Sequence, residues 1–303
     1  MPINNILLTG KSGFLGKKIF NYLSSKFWVA SLGRSDKDSF IFNLMDNAIK
    51  INENFDLFIH CSGRAHTVPK TKQQKQEFFD VNVTGTKNLL KGLEQAPTFP
   101  KSFVFISSIA VYGLDKGENI EENHPLNAKD PYGLSKIQAE EIVTEWCDKN
   151  KIICTILRLP LLVGENPPGN LGAMIKGIQK GYYMNIAGGL ARKSMVMAED
   201  VAKFILPAAE IGGIYNLTDG YHPNFKELSK HIALQLGKKP PYSLPYFIAN
   251  GLAKTGDIIG DRFLFNSYKL SKIQANLTFD DSKAIEAFGW KPREVLKAFK
   301  LKT

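Results

Sequence analysis

Ile6-Leu7-Leu8-Thr9 runs straight into Gly10-Lys11-Ser12-Gly13-Phe14-Leu15-Gly16, and this junction restricts the fold more than any other stretch. A buried strand that meets glycines and then a helical apolar pattern (Phe14, Leu15, Ile19, Leu23) makes a turn suited to phosphate. Glycine lets the backbone bend tightly and approach an anion. The first helical turn then offers unpaired N–H groups and the positive end of its dipole. The spacing G-x-x-G-x-x-G is one residue longer in its first gap than the common dinucleotide fingerprint. A plain strand-to-helix connection can carry the same glycines, so residues downstream decide between the two.

The pattern that follows alternates short β-rich runs with longer helical ones. Strands are expected at 4–9, 27–32, 55–60, 102–107 and 152–158, with helices at 14–26, 75–95 and 131–149. Several strands are continuous apolar runs, as in a parallel sheet covered by helices on both faces. This predicts an α/β fold: a doubly wound parallel sheet of the Rossmann type, with a smaller C-terminal substrate-binding lobe. Residues 1–160 form the dinucleotide-binding domain in this reading, with 198–217 returning to it as a helix and a strand. Residues 161–197, rich in Gly and Pro, and 218–303 form the lobe, with helices at 223–237, 244–256 and 280–289. Ligands of such sheets bind at the C-terminal ends of the strands, where Gly10–Gly16 lies.

Net charge is +10, but the basic residues are scattered and no run of five appears, so nucleic acid is not an expected partner. Three cysteines without a C-x-x-C pair read as reduced thiols, and five histidines lack metal-ligand spacing; no metal is expected. No apolar stretch is long enough to span a bilayer. The most apolar late segment, Leu244 to Gly260, contains Lys254 and Asp257 and reads as a core or interface helix. A cytoplasmic protein without membrane insertion is expected.

Tyr132-Gly133-Leu134-Ser135-Lys136 carries the chemistry. Pro131 presets a first helical turn, and Lys136 lies one turn beyond Tyr132 on the same face. A phenol is a poor base at neutral pH, and a nearby ammonium lowers its pKa. The pair can therefore move a hydroxyl proton while hydride leaves the same carbon. Ser108, at the C-terminal end of strand 102–107, is placed to hydrogen-bond that oxygen.

Thr9-Gly10 to Gly16, Ser107-Ser108-Ile109-Ala110-Val111-Tyr112-Gly113, Pro131 to Lys136, and Phe279-Asp280-Asp281-Ser282-Lys283-Ala284 with Phe288-Gly289-Trp290-Lys291-Pro292 follow one another in that order. With them the chain resembles, over essentially its whole length, the extended short-chain dehydrogenase/reductases of the NAD(P)-dependent nucleotide-sugar epimerase/dehydratase family. The resemblance implies that Ser108, Tyr132 and Lys136 are catalytic and that Lys136 also holds the nicotinamide ribose. Cofactor contacts fall on Gly10, Ser12, Gly13, Phe14, Leu15, Gly16, Gly33, Arg34, Ser35, Asp46, Cys61, Ser62, Gly63, Ser107, Tyr132 and Lys136. Ser108, Asn170, Arg192, Lys193 and Arg262 are implied for a nucleotide-diphosphate sugar. Asn82 matches a frequent family asparagine, Leu157-Arg158-Leu159-Pro160 a family turn, and residues 63–70 a bacterial subgroup linked to surface polysaccharide. A homodimer through helices 75–95 and 131–149 is also implied.

Two positions narrow the chemistry. Dehydratases of the family follow the catalytic Ser/Thr with an Asp-Glu pair, whereas this chain has Ile109 and Ala110, so dehydration is not expected. At the end of the second strand stand Gly33, Arg34 and Ser35, where an NAD enzyme usually has a carboxylate; this favours NADP over NAD, although Asp36 and Asp38 follow. The first expectation is a reductase of the 4-keto group of a UDP-linked 6-deoxy N-acetylhexosamine. The alternative is a UDP-hexose or UDP-N-acetylhexosamine 4-epimerase. A non-catalytic dinucleotide-sensing regulator is the third reading, and the intact Ser108/Tyr132/Lys136 set argues against it.

Overall fold

The computed structural model describes residues 3–45, 50–65, 67–259 and 265–301. Apolar runs that alternate between two helical layers build its centre, a sheet of seven parallel strands. In chain order these are β1 (Asn5–Thr9), β2 (Trp28–Gly33), β3 (Phe40–Ile41), β4 (Leu57–His60), β5 (Ser102–Ser108), β6 (Ile153–Leu159) and β7 (Gly213–Asn216). Their spatial order is β7-β6-β5-β4-β1-β2-β3. The order reverses between β1 and β4, where open sheets of this kind hold ligands.

Helices α1 (Phe14–Leu23) and α6 (Ala198–Ile211) cover one face, where Ile6, Leu8, Ile59, Val104 and Leu157 meet Ile19, Val201 and Ile205. The other face packs Leu7, Phe58, Phe103 and Phe105 against α3 (Gly85–Leu93) and α4 (Pro131–Asn150). Neighbours along each strand thus point into different cores, which is why these strands read as unbroken apolar runs. Each such side chain, fully buried, contributes about 1.5–3 kcal/mol.

The expected helix 75–95 divides. α2 (Lys72–Phe79), capped by Thr71, which accepts from Gln74 N, leads through a π-helical turn (Asp80–Thr84) into α3. The region 160–197 is also more regular than its glycines and prolines suggest. It contains a short strand (Leu161–Val163), α5 (Gly169–Lys180) and two further short strands (Asn185–Ile186 and Met195–Met197). Pro168 and Gly181 are the N- and C-caps of α5, so residues that read as breakers delimit a helix. With α7 (Phe225–Gln235), these residues form a separate core around Val163, Leu171, Met174, Met195, Leu228 and Ile232. Two-residue β3 has too little sequence to announce itself.

Candidate active site

The floor of the site is the turn between β1 and α1. Gly10 has φ +76°, and a Cβ there would lie 2.8 Å from the Cys61 carbonyl carbon; a Cβ on Gly16 would strike the Gly10 carbonyl. Only glycine allows the loop to fold this closely. Gly13 opens α1 without a side-chain cap, so the helix N-terminus faces the cavity with N–H groups available to an anion.

Behind the turn, a chain of hydrogen bonds locks β4 in place. Thr9 Oγ1 accepts from Cys61 N and Ser62 N (both 3.2 Å) and lies 2.8 Å from His60 Nδ1. His60 Nε2 is 3.0 Å from Thr86 Oγ1, which donates to Asn82 O. Burial, with the Lys136 charge adding to it, pushes His60 down to about 3, so the ring is neutral. Asn82, buried within the π turn, accepts from Arg64 N (2.7 Å) and donates to Arg64 O (3.2 Å) and Ser135 Oγ (2.9 Å).

Asp130 caps α4 by accepting from Tyr132 N and Gly133 N, which fixes Tyr132 at the helix start. Ser108 ends β5 and accepts from Ala110 N at 3.2 Å, and it shares the cavity lining with Tyr132, whose phenol pKa its side chain lowers. Lys136 is buried; its Nζ donates to Ile106 O at 2.8 Å and sits 4.5 Å from the centre of the Phe105 ring. Burial lowers it to about 8, against the opposing influence of Cys61 and Glu140. Burial raises the Cys61 thiol to about 12.

The expectation that Lys136 depresses Tyr132 needs correction. Burial raises the Tyr132 pKa, the Ser108 hydrogen bond works against that rise, and the Asp130 charge adds to it. The ammonium is directed to the Ile106 carbonyl and the Phe105 ring instead.

A cavity of about 380 Å3 joins Gly13, Phe14, Leu15, Gly16, Cys61, Gly63, Ser107, Ser108, Tyr132 and Lys136 in one lining. Gly10, Ser12 and Ser62 are not part of it: Gly10 shapes the turn beneath, and Ser62 N is bonded to Thr9. Gly33, Arg34 and Ser35 stand apart from it at the end of β2, the adenosine side of such a site. There the Asp38 carboxylate accepts from Ser35 N (3.1 Å) and occupies the space that a side chain on Gly33 would enter.

Ser107 is tied to a buried ion pair. Its hydroxyl donates to Glu140, whose carboxylate also takes the Arg158 guanidinium, with Nη2 at 2.7 Å. Arg158 is thereby a buried tie between β6 and α4. Asn170 and Lys193 line an adjoining cavity of about 220 Å3 with Ile109, Leu161, Leu171, Met174, Ser194, Phe225 and Leu277. Arg192 is not brought to this lining; its guanidinium donates to the Tyr221 and His222 carbonyls. Asp46 and Arg262 lie outside the described residues. A third space of about 200 Å3 shares Asn170, Met174 and Phe225 with the second and continues outward to Met184, Ile186 and Ile273.

Sequence reasoning did not single out Arg64 as a site residue. It lines the main cavity, pairs with Glu77 at 2.6 Å, and its buried Nε has no hydrogen-bond partner among the described residues. The glycine cradle, the open helix N-terminus and the buried Lys136 ammonium fit a nicotinamide dinucleotide.

A family model described as the NAD dependent epimerase/dehydratase family matches residues 6–218. An Escherichia coli O157:H7 protein, N-acetyl-alpha-D-glucosaminyl-diphospho-ditrans,octacis-undecaprenol 4-epimerase, is 30% identical over 297 residues, covering 92% of this chain and 88% of that protein. Among solved structures, UDP-glucuronic acid 4-epimerase from Bacillus cereus in complex with NAD has a TM-score of 0.75 at 18% identity, covering 96% of this chain and 94% of that one. RMD from Pseudomonas aeruginosa complexed with NADPH has a TM-score of 0.73 at 22% identity, with 97% and 95% covered. At these identities the two structures share the fold with this chain. The chain belongs to the NAD dependent epimerase/dehydratase family of extended short-chain dehydrogenase/reductases, whose members depend on a nicotinamide dinucleotide.

Proposed function

We propose that the protein is a 4-epimerase of an N-acetylhexosamine carried on a diphosphate, with a polyprenol as carrier ahead of a nucleoside. The observation that carries the reading is the meeting of Ser108, Tyr132 and Lys136 with the Gly13–Gly16 turn on one cavity. The E. coli relative supports the 4-epimerase reaction and the lipid carrier. So do the apolar walls beyond the catalytic groups, where Leu171, Met174, Phe225 and Leu277 share a lining with Lys193, whose Nζ donates to Lys272 O at 3.1 Å and would be the cation for a diphosphate.

A bound nicotinamide dinucleotide supplies the acceptor and donor of hydride. Gly13 to Gly16 would hold its pyrophosphate, Lys136 its ribose, and Asp38 the adenosine ribose. Ser108 orients the sugar O4. Tyr132 takes the O4 proton as the C4 hydride leaves, and returns it when hydride comes back to the opposite face of the 4-ketone. Burial raises the phenol pKa, which suits the return step; taking the O4 proton requires the phenolate, which the Ser108 side chain favours against that rise.

The position of the Asp38 carboxylate favours NAD, because a carboxylate there accepts from a ribose 2′-OH and repels a 2′-phosphate. Lys11 is already engaged: its Nζ donates to Lys37 O at 3.1 Å and lies 4.2 Å from the centre of the Phe20 ring. Asp38→Asn should weaken NADH binding about tenfold, as loss of a charge-assisted hydrogen bond would, and leave NADPH binding level or tighter by fluorescence titration. Equal effects on both would remove Asp38 from cofactor selection.

A second reading, reduction of a nucleotide-linked 4-keto sugar with NADPH, rests on exposed Arg34 beside Ser35. Incubation with polyprenyl-diphosphate GlcNAc, without a 4-keto substrate or reductant, separates the two. Appearance of the GalNAc epimer supports the proposal. Stoichiometric NADPH oxidation by a UDP-4-keto-6-deoxy sugar, with no epimer formed, supports the reductase.

A further inference from the structure

Helix α8 (Tyr246–Ile259) is built the wrong way round for a water-facing helix. Its buried positions are small (Ala249, Ala253 and Gly256), which lets it lie close against Ile186, Ala187 and Leu244. The bulky apolar residues are on the outward side: Phe247 is 73% exposed and Ile258 86%, and Ile248, Leu252 and Ile259 are exposed beside them. A helix on a soluble surface ordinarily turns polar residues outward. The apolar surface continues beyond the helix. Asn185 N donates to Tyr242 O, and Asn185–Ile186 pairs with Ser243–Leu244, so exposed Met184 and Tyr242 border the helix. Met184 also lines the outermost space of the cleft, so the cleft opens on this face.

Charge identifies the occupant. Exposed Lys254 lies on α8, exposed Lys180 ends α5 four residues before Met184, and exposed Lys238 and Lys239 lie in the stretch that leads to Tyr242; the acid on α8, Asp257, is bound to Ser267. Exposed aromatic and aliphatic side chains with exposed lysines on the same helix and in the adjoining chain match the headgroup region of an anionic bilayer. A second copy of this chain fits worse, because a two-fold contact would set the same lysines against themselves. No helix among the described residues is long and apolar enough to cross a membrane, and α8 has 14 residues, so the contact is one of lying on the surface.

We propose that the α8 face docks on an anionic lipid bilayer and brings the mouth of the cleft to a lipid-carried substrate. The purpose assigned to the contact rests on the epimerase reading; the contact itself does not.

Sedimentation with vesicles tests it. The protein should pellet with phosphatidylcholine vesicles containing phosphatidylglycerol, and remain in solution with pure phosphatidylcholine vesicles or in high salt. Replacing Phe247→Ser and Ile258→Ser together should weaken vesicle binding at least about tenfold. Thermal stability and turnover of a water-soluble, short-chain diphosphate sugar should not change. Absence of binding to anionic vesicles, or equal binding by wild type and variant, overturns the proposal. So does a concentration-dependent dimer that the same substitutions abolish, which would assign the face to a second copy. Vesicle binding is read without any sugar, so the epimerase reading can fail while the docking surface stands, and the reverse.

Discussion

Between Gly10 and Lys136 the cleft is walled by groups that other groups hold still. Thr9, His60, Thr86, Asn82 and Ser135 form one connected run of hydrogen bonds, and glycines set the backbone where no side chain fits. Past Leu161 the walls are Leu171, Met174, Phe225 and Leu277, flexible or apolar side chains that impose shape without fixing hydrogen-bond geometry. On the proposed function, the difference follows from what each half would have to do. Hydride and proton transfer need reacting atoms placed within a few tenths of an ångström, whereas a carrier chain needs only an apolar path. Substitutions in the two halves should therefore have unequal consequences.

The largest effect is expected at Tyr132. Tyr132→Phe should lower turnover by ~10²–10⁴-fold, the usual worth of a positioned acid or base, while dinucleotide affinity in fluorescence titration stays within about threefold. Retained turnover would mean that proton transfer lies elsewhere.

A smaller effect comes from His60, which supports the inner wall only when neutral. Its folded pKa of about 3 lies below its ordinary 6.5, so the unfolded chain binds the extra proton first. The stabilisation is complete above pH 6.5 and is lost as pH falls from there toward 3. Between pH 7 and pH 5 the wild type should lose about 2 kcal/mol more than His60→Gln, which does not titrate. Denaturant melts at both pH values measure this, and equal losses would show that the His60 proton is not linked to folding.

The smallest effect is expected in the outer half. Met174→Leu preserves volume and should change stability by less than about 1.5 kcal/mol and turnover by no more than about threefold. A large loss of turnover there would erase the distinction between the two halves.

The same contrast governs how much the sequence disclosed. Gly10–Gly16, Ser108, Tyr132 and Lys136 sit in contiguous motifs whose meaning is local: strand end, helix start, one helical turn. The central strands were equally legible, because burial on both faces leaves an unbroken apolar run. Arg64 and Asp38 were harder to find. Arg64 reaches the cavity because Asn82 holds its backbone from a helix 18 residues away, and Asp38 fills the space beside Gly33 through a loop closure. No periodicity reports such contacts. The π turn at Asp80–Thr84 left no mark in a pattern that reads as one helix, and the Gly- and Pro-rich stretch 161–197 concealed α5, which Pro168 and Gly181 bound. The exposed face of α8 was hidden for a related reason: apolar residues lie all around the segment, and only packing separates the small ones turned inward from the large ones turned out.

The central claim is that one carbon gives up and regains hydride in the cavity of Ser108, Tyr132 and Lys136. Polyprenyl-diphosphate GlcNAc carrying deuterium at C4 tests it most directly, with the product analysed by mass spectrometry and NMR. The account predicts a GalNAc epimer that keeps the label at C4, formed by the wild type and not by Tyr132→Phe. Loss of the label to solvent, or no epimer from either protein, would contradict it.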